Sequence, residues 1–195
     1  MYKMLFILFL FYTQLFADNN DVFSFPIKDT EKIEYEMQIP SSISGNFVQE
    51  KRLSDIEITL RSRGVFSVSK NGSLNWNTIE PFSYSIVLSD RKIIIQNEEI
   101  SSGATLENIL HIIKMVLMRN YSELQKYFDL FYKKSDECFH FGMISKTSEI
   151  SVFFSRLTAS GKNHFETVTL FAANGDITTI VFSDIKEGSD EILAD

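Results

Sequence analysis

Three histidines, one cysteine and a scatter of serines and carboxylates are the side chains of this 195-residue chain suited to covalent or metal chemistry. His111, His140 and His164 stand apart, and no two are spaced four apart around a glutamate as in a helical zinc site. Cys138 and His140 flank Phe139, which on a strand puts both on one face. Two ligands still fall short of the three or four that zinc takes. Ser101-Ser102-Gly103 reads as a turn before a helix rather than a Gly-x-Ser-x-Gly nucleophile elbow. Glu98 and Glu99 are adjacent, so on a strand they point to opposite faces and cannot share a proton. No glycine-rich phosphate loop is present. The expectation is a chain with no catalytic residue, no metal and no cofactor, whose function lies in its apolar surfaces.

The first residues are set aside before any fold argument. Met1-Tyr2-Lys3 is a short basic start, Met4 to Tyr12 is unbroken and apolar, and Leu15-Phe16-Ala17 precedes Asp18-Asn19-Asn20. This is the pattern of a secretory signal peptide, residues 1–17, cut after Ala17, although Leu15 stands where a small residue is usual. The apolar run is shorter than the roughly 20 residues that span a bilayer. Residues 18–195 then make one exported, periplasmic domain, large enough for a single core. Cys138, the one cysteine, cannot close an internal disulfide, so core packing and hydrogen bonds must suffice. A net charge of −7, with the charges interspersed, favours solubility and disfavours nucleic acid as a partner. A monomer is expected.

Strand periodicity dominates the rest. Ser44 to Leu53 puts Phe47, Gln49 and Lys51 on one face. Asp55 to Ser69 puts Ile56, Ile58, Leu60, Ser62, Gly64, Phe66 and Val68 together, with Gly64 marking a bend. Lys70-Asn71-Gly72-Ser73 is a hairpin signal. Leu74 to Trp76, Ser83 to Leu88 and Lys92 to Gln96 follow as short strands. Asp18 to Gln38 is of mixed character. The period then changes: Thr105 caps a broadly apolar helix carrying Ile109, Ile113 and Val116, and Ser122 with Gln125 makes a capping box for a second helix. Strands return at Phe139 to Ser145, Ile150 to Arg156, Phe165 to Ala172 and Ile177 to Ile185, with Asn174-Gly175 at a tight turn and a frayed acidic tail from Lys186. Seven or more antiparallel strands around a helical insert predict a mainly antiparallel α+β fold, an unclosed, strongly curved half-barrel with the helices over its mouth. The 18 phenylalanines, four of them in the leader, imply an aromatic core or an aromatic-lined cavity.

Several short motifs, in order, resemble the outer-membrane lipoprotein carriers, the LolA-like periplasmic proteins. They are Gly45-Asn46-Phe47-Val48-Gln49, Gly64-Val65-Phe66, Leu74-Asn75-Trp76 with Pro81 beyond, Val87-Leu88-Ser89-Asp90, and Gly175-Asp176-Ile177-Thr178-Thr179-Ile180, the last similar to a branch linked to export of unusual lipids. The resemblance runs from about Ser44 to Ser183. It implies an open barrel of about eleven strands with a helical lid, shuttling acylated lipoprotein or other lipid from an inner-membrane exporter to an outer-membrane acceptor. The expected cargo-binding residues are Phe47, Phe66, Trp76, Ile86, Ile109, Ile113 and Val116. The best-known carriers have Arg-Pro where this chain has Lys70-Asn71, and that arginine latches the lid. Lys70 is the latch candidate here, although lysine lacks the planar fork of an arginine. Arg91 replaces the family's glycine after Asp90. Rival readings are a carrier of a lipid-linked product from a dedicated exporter, a lipid ester or glycan hydrolase using His140 or His164, and an interaction domain whose sheet is filled by its own side chains.

Overall fold

The computed structural model describes residues 21–29, 33, 37, 39–89, 92–100, 104–135 and 138–188. The expected leader at residues 1–17, Asp90-Arg91, the expected turn at Ser101 to Gly103 and the residues beyond Gly188 lie outside them, as does most of 30–38.

Among the described residues, eleven antiparallel strands form one sheet. In chain order they are β1 Ser42–Leu53, β2 Ile58–Val68, β3 Leu74–Glu80, β4 Tyr84–Ser89, β5 Lys92–Ile95, β6 Glu98–Ile100, β7 Phe128–Lys134, β8 Phe139–Ser145, β9 Phe154–Gly161, β10 Thr167–Ala172 and β11 Ile177–Gly188. Their spatial order is β6-β5-β4-β3-β2-β1-β11-β10-β9-β8-β7, so β6 and β7, joined through the helices, lie at opposite edges. The sheet curls without closing, and the connection from β6 to β7 has to cross from one edge to the other. Helix α1, Ala104–Leu117, and helix α2, Tyr121–Tyr127, make that crossing, while a one-turn helix α3, Ser148–Ser151, links β8 to β9.

Alternation sorts the side chains. Cross-strand register aligns Phe47 with Phe182, Phe66 with Trp76, Trp76 with Ile86, and Phe141 with Ala159 on one face, and all are buried. Onto that face α1 lays Leu110, Ile112, Ile113, Met115, Val116 and Leu117, each buried. A helix apolar on so many sides packs inside the curl rather than resting on its rim.

The edges are covered differently. Beside β7, Ile27 N–H donates to the Leu130 carbonyl at 2.8 Å and Tyr132 N–H to the Phe25 carbonyl at 2.9 Å. Phe23 also packs edge-on against Phe131, ring centroids 5.4 Å apart. This strap occupies hydrogen-bonding groups that would otherwise template another chain. At the other edge β6 is only three residues long and carries Glu98 and Glu99, which also discourages pairing.

Five expectations are corrected. The strand expected over Ile150 to Arg156 begins only at Phe154, as β9, because Ser148–Ser151 is helical. The cap of α2 is Asn120, whose Oδ1 accepts from Glu123 N–H at 3.1 Å, and Ser122 is an interior residue whose hydroxyl donates to Asn120 Oδ1. Thr105 lies within α1, which begins at Ala104. Lys186 to Gly188 continue β11, held by pairing with Ser42 to Ser44. Asp55 and Ile56 belong to the β1–β2 turn, and Ile56, Ile58 and Leu60 are exposed because this hairpin projects beyond the helical cover. Sequence reading also misses β6 and β7, both too short or too mixed to alternate clearly.

Gly64 is paired directly with Phe47, and a side chain there would meet the Asn77 carbonyl oxygen at 1.9 Å and the Phe47 ring at 2.9 Å. Gly64→Ala is therefore expected to destabilise by about 3 kcal/mol or more in urea unfolding. Gly142→Ala meets only the movable Phe23 and Val22 side chains of the strap and should cost clearly less.

Candidate functional site

The core does not fill the whole curl. At the end of the sheet where the β3–β4 and β10–β11 turns come together, a cavity of about 570 Å³ remains between strands and helices. Its apolar wall is Trp76 and Ile86 from β3 and β4, Leu170 and Ile180 from β10 and β11, Ile109, Leu110 and Ile113 from α1, and Phe153 and Phe154 after α3. Its polar lining is Gln49, Lys51, Thr78, Asn174 and Thr178, all at least partly exposed, together with the buried Asp176. The volume lies within the roughly 300–1,000 Å³ of small-molecule sites, and mostly apolar walls with a few polar groups are usual for them.

An aromatic partition closes the inner end. Phe47 stacks on Trp76 with ring centroids 3.9 Å apart, and Phe182 meets Phe66 edge-on at 5.0 Å and Trp76 at 6.4 Å. Such pairs add about 0.5–1.5 kcal/mol each beyond the area they bury. Trp76 shows one face to Phe47 and contributes to the cavity wall as well.

Of the residues expected to hold cargo, Trp76, Ile86, Ile109 and Ile113 line the cavity. Phe47, Phe66 and Val116 do not: all are buried, the two rings within the aromatic cluster and Val116 in the filled core. Lys70 is exposed at its hairpin, and a hydrogen bond from Lys114 Nζ to the Gly72 carbonyl at 2.9 Å ties α1 to that hairpin. A second tie lies past the end of α1, where Arg119 donates to the Asn163 carbonyl at 2.9 Å and pairs with Glu187 at 2.6 Å.

The polar side of the mouth was missed as a site, though alternation had placed Gln49 and Lys51 on the face of Phe47. A cation on an otherwise apolar face is the signal that marks it. Lys51 Nζ lies 3.4 Å from Asp176, whose side chain is 9% exposed against 42% for the lysine. Asp176 is fixed by two turns at once. Ser54 N–H donates to its Oδ1 at 3.0 Å, Ser54 Oγ donates to the Asn174 carbonyl at 2.8 Å, and Asp176 N–H donates to Asn174 Oδ1 at 3.1 Å. The Ser54 hydrogen bond, with help from Asn174 and Lys51, holds the Asp176 carboxyl below its ordinary range against the opposing effect of burial.

Among the described residues no group of three or more His, Cys, Asp or Glu side chains is placed to hold a metal, and no helix is long and apolar enough to cross a membrane. None of His111, His140, His164 and Cys138 lines this cavity.

A carboxyl with a depressed folded-state pKa gives stability that is complete above the unfolded carboxylate range and lost as pH falls through the folded value. Thermal melts should therefore show the wild type losing its advantage over Asp176→Asn as pH drops from 7 to below about 4. Equal spacing of the two melting curves at pH 7 and pH 3 would contradict this.

Solved structures offer fold likenesses at low identity. A LolA superfamily protein from Nitrosomonas europaea is 10% identical with TM-score 0.48, covering 85% of this chain and 94% of its own. MucB in the MucA/MucB complex of Pseudomonas aeruginosa is 15% identical with TM-score 0.42, covering 80% of this chain and 54% of that one. A DUF1329 family protein from Desulfovibrio piger is 12% identical with TM-score 0.37, covering 88% and 96%. No curated protein matches. Residues 40–191 match the family described as outer membrane lipoprotein carrier protein LolA, and on that match the chain belongs to the LolA family.

Proposed function

We propose that the protein is a non-enzymatic periplasmic carrier that holds the acyl chain of a lipoprotein or another lipid in the cavity and passes it from inner to outer membrane. The observation that carries this reading is an open, mostly apolar hollow of about 570 Å³ in a chain of the LolA family. An inner-membrane exporter would be the donor and an outer-membrane protein the acceptor.

The energetics suit a sheltered hand-over. Each buried CH₂ is worth about 0.8 kcal/mol, so a chain of ~15 carbons gains on the order of 10 kcal/mol. Release into water would be far too slow at that affinity. Cargo leaves only when moving α1 removes part of its wall, because Ile109, Leu110 and Ile113 all belong to that helix. The hairpin of Lys70, through the Lys114 bond to Gly72, is the natural latch on this movement.

A hydrolase of the same fold would need a free nucleophile or base at the cavity; the described lining holds no serine, cysteine or histidine, and its one carboxylate, Asp176, is engaged by Ser54 and Lys51. A lipid-linked product would occupy the same walls as a lipoprotein acyl chain, and the cargo offered by the donor separates these two carriers.

Trp76 is the only tryptophan in the chain and stands in the cavity wall, so its emission reports occupancy. Acylated peptide or lipid should shift that emission saturably. Ile109→Phe combined with Ala172→Phe should weaken uptake at least about tenfold by filling the hollow. Unchanged emission at all lipid concentrations would remove the carrier reading.

A further inference from the structure

Resting on that reading, we propose that the cavity selects a single-chain amphiphile with an anionic head group, and that Lys51 binds the head. Of the lining residues, Trp76, Ile86, Leu110, Ile113, Leu170 and Ile180 are buried while Gln49, Lys51, Thr78, Asn174 and Thr178 are partly or fully exposed, an arrangement that would order a bound amphiphile tail inward. Lys51 sits at the boundary between the two. Cross-strand register puts it beside Thr178 on β11 and Leu60 on β2, on the face that carries Phe47 further in. An acyl chain against Trp76, Ile113 and Ile180 would bring its head to the level of Gln49, Lys51 and Thr178.

The sign of the head group follows from which charge is presented. Asp176 also lines the cavity but is nearly sealed, with Ser54 N–H, Asn174 and Lys51 around it. The Lys51 side chain lines the cavity and is 42% exposed, and its three-donor ammonium has capacity beyond one carboxylate at 3.4 Å. Asp176 aims the cation and the cation faces the guest. Its methylene stem can lie along the apolar wall while the head stays at the opening. A carboxylate and a phosphate share this chemistry, so a fatty acid and a monoacyl phospholipid are both admissible occupants. A carboxylate or phosphate would form an ion pair with the ammonium, whereas an ester offers only a neutral acceptor oxygen.

The test is titration of Trp76 emission in the full exported chain with palmitate, palmitoyl lysophosphatidylglycerol, methyl palmitate and hexadecylamine. The wild type should bind the two anionic probes about tenfold tighter than the ester, with the amine weakest. Lys51→Gln should lose this preference yet keep its affinity for methyl palmitate, which also verifies folding, and Lys51→Arg should restore it. Equal binding of all four probes, stronger binding of the amine, or a preference that survives Lys51→Gln would overturn the head-group assignment and leave the carrier intact. Failure of every probe, the ester included, would overturn the carrier reading and this inference with it.

Discussion

The stacking of Phe47 on Trp76 divides the concave face into a filled half and an empty half, and the rest of the molecule is arranged around that division. On one side Phe66, Phe182, Val116 and the β7–β9 aromatics pack to a dry core. On the other, nothing of comparable size follows Trp76 along β3: the next inward residue is Thr78, a side chain too small to plug the curl. Gly64 makes the stack possible, since any larger residue would take the space that Phe47 occupies. The cavity is thus a consequence of where large side chains stop.

An open sheet brings two costs, exposed edges and an apolar trough. The edges are met by the Phe25 to Ile27 strap and by a short acidic β6. The trough is met by α1, which the topology forces across the curl because β6 and β7 lie at opposite edges. Lys114 to Gly72 and Arg119 to Glu187 add polar ties to the buried apolar packing of this helix. Polar ties of this kind can be exchanged for water at modest net cost, while a core helix could not leave without exposing its apolar side. The helix therefore has one anchored, buried half and one half that faces the hollow.

Much of this was legible in the residues. Period-two alternation from Phe66 through Trp76 gave the curved sheet and its inner face, and the broad apolar surface of α1 gave the cover. Trp76, Ile86, Ile109 and Ile113 line one cavity because each sits on the inner face near the same end. Phe47, Phe66 and Val116 share that face but lie farther in, and alternation tells which side a residue faces, not how deep it sits. Lys51 was visible as a cation beside Phe47 and was passed over, because its partner Asp176 is 125 positions away across the β1–β11 register. The α2 cap was misplaced because Asn120 and Ser122 both carry capping side chains, and only the backbone decides between them.

Native mass spectrometry of the protein recovered from an exporting cell tests the central claim most directly, since it weighs the occupant without assuming its identity. The account predicts a population heavier than the polypeptide by the mass of one acylated molecule, released on gentle activation. A uniformly unliganded protein that stays so after incubation with a lipid extract would contradict it.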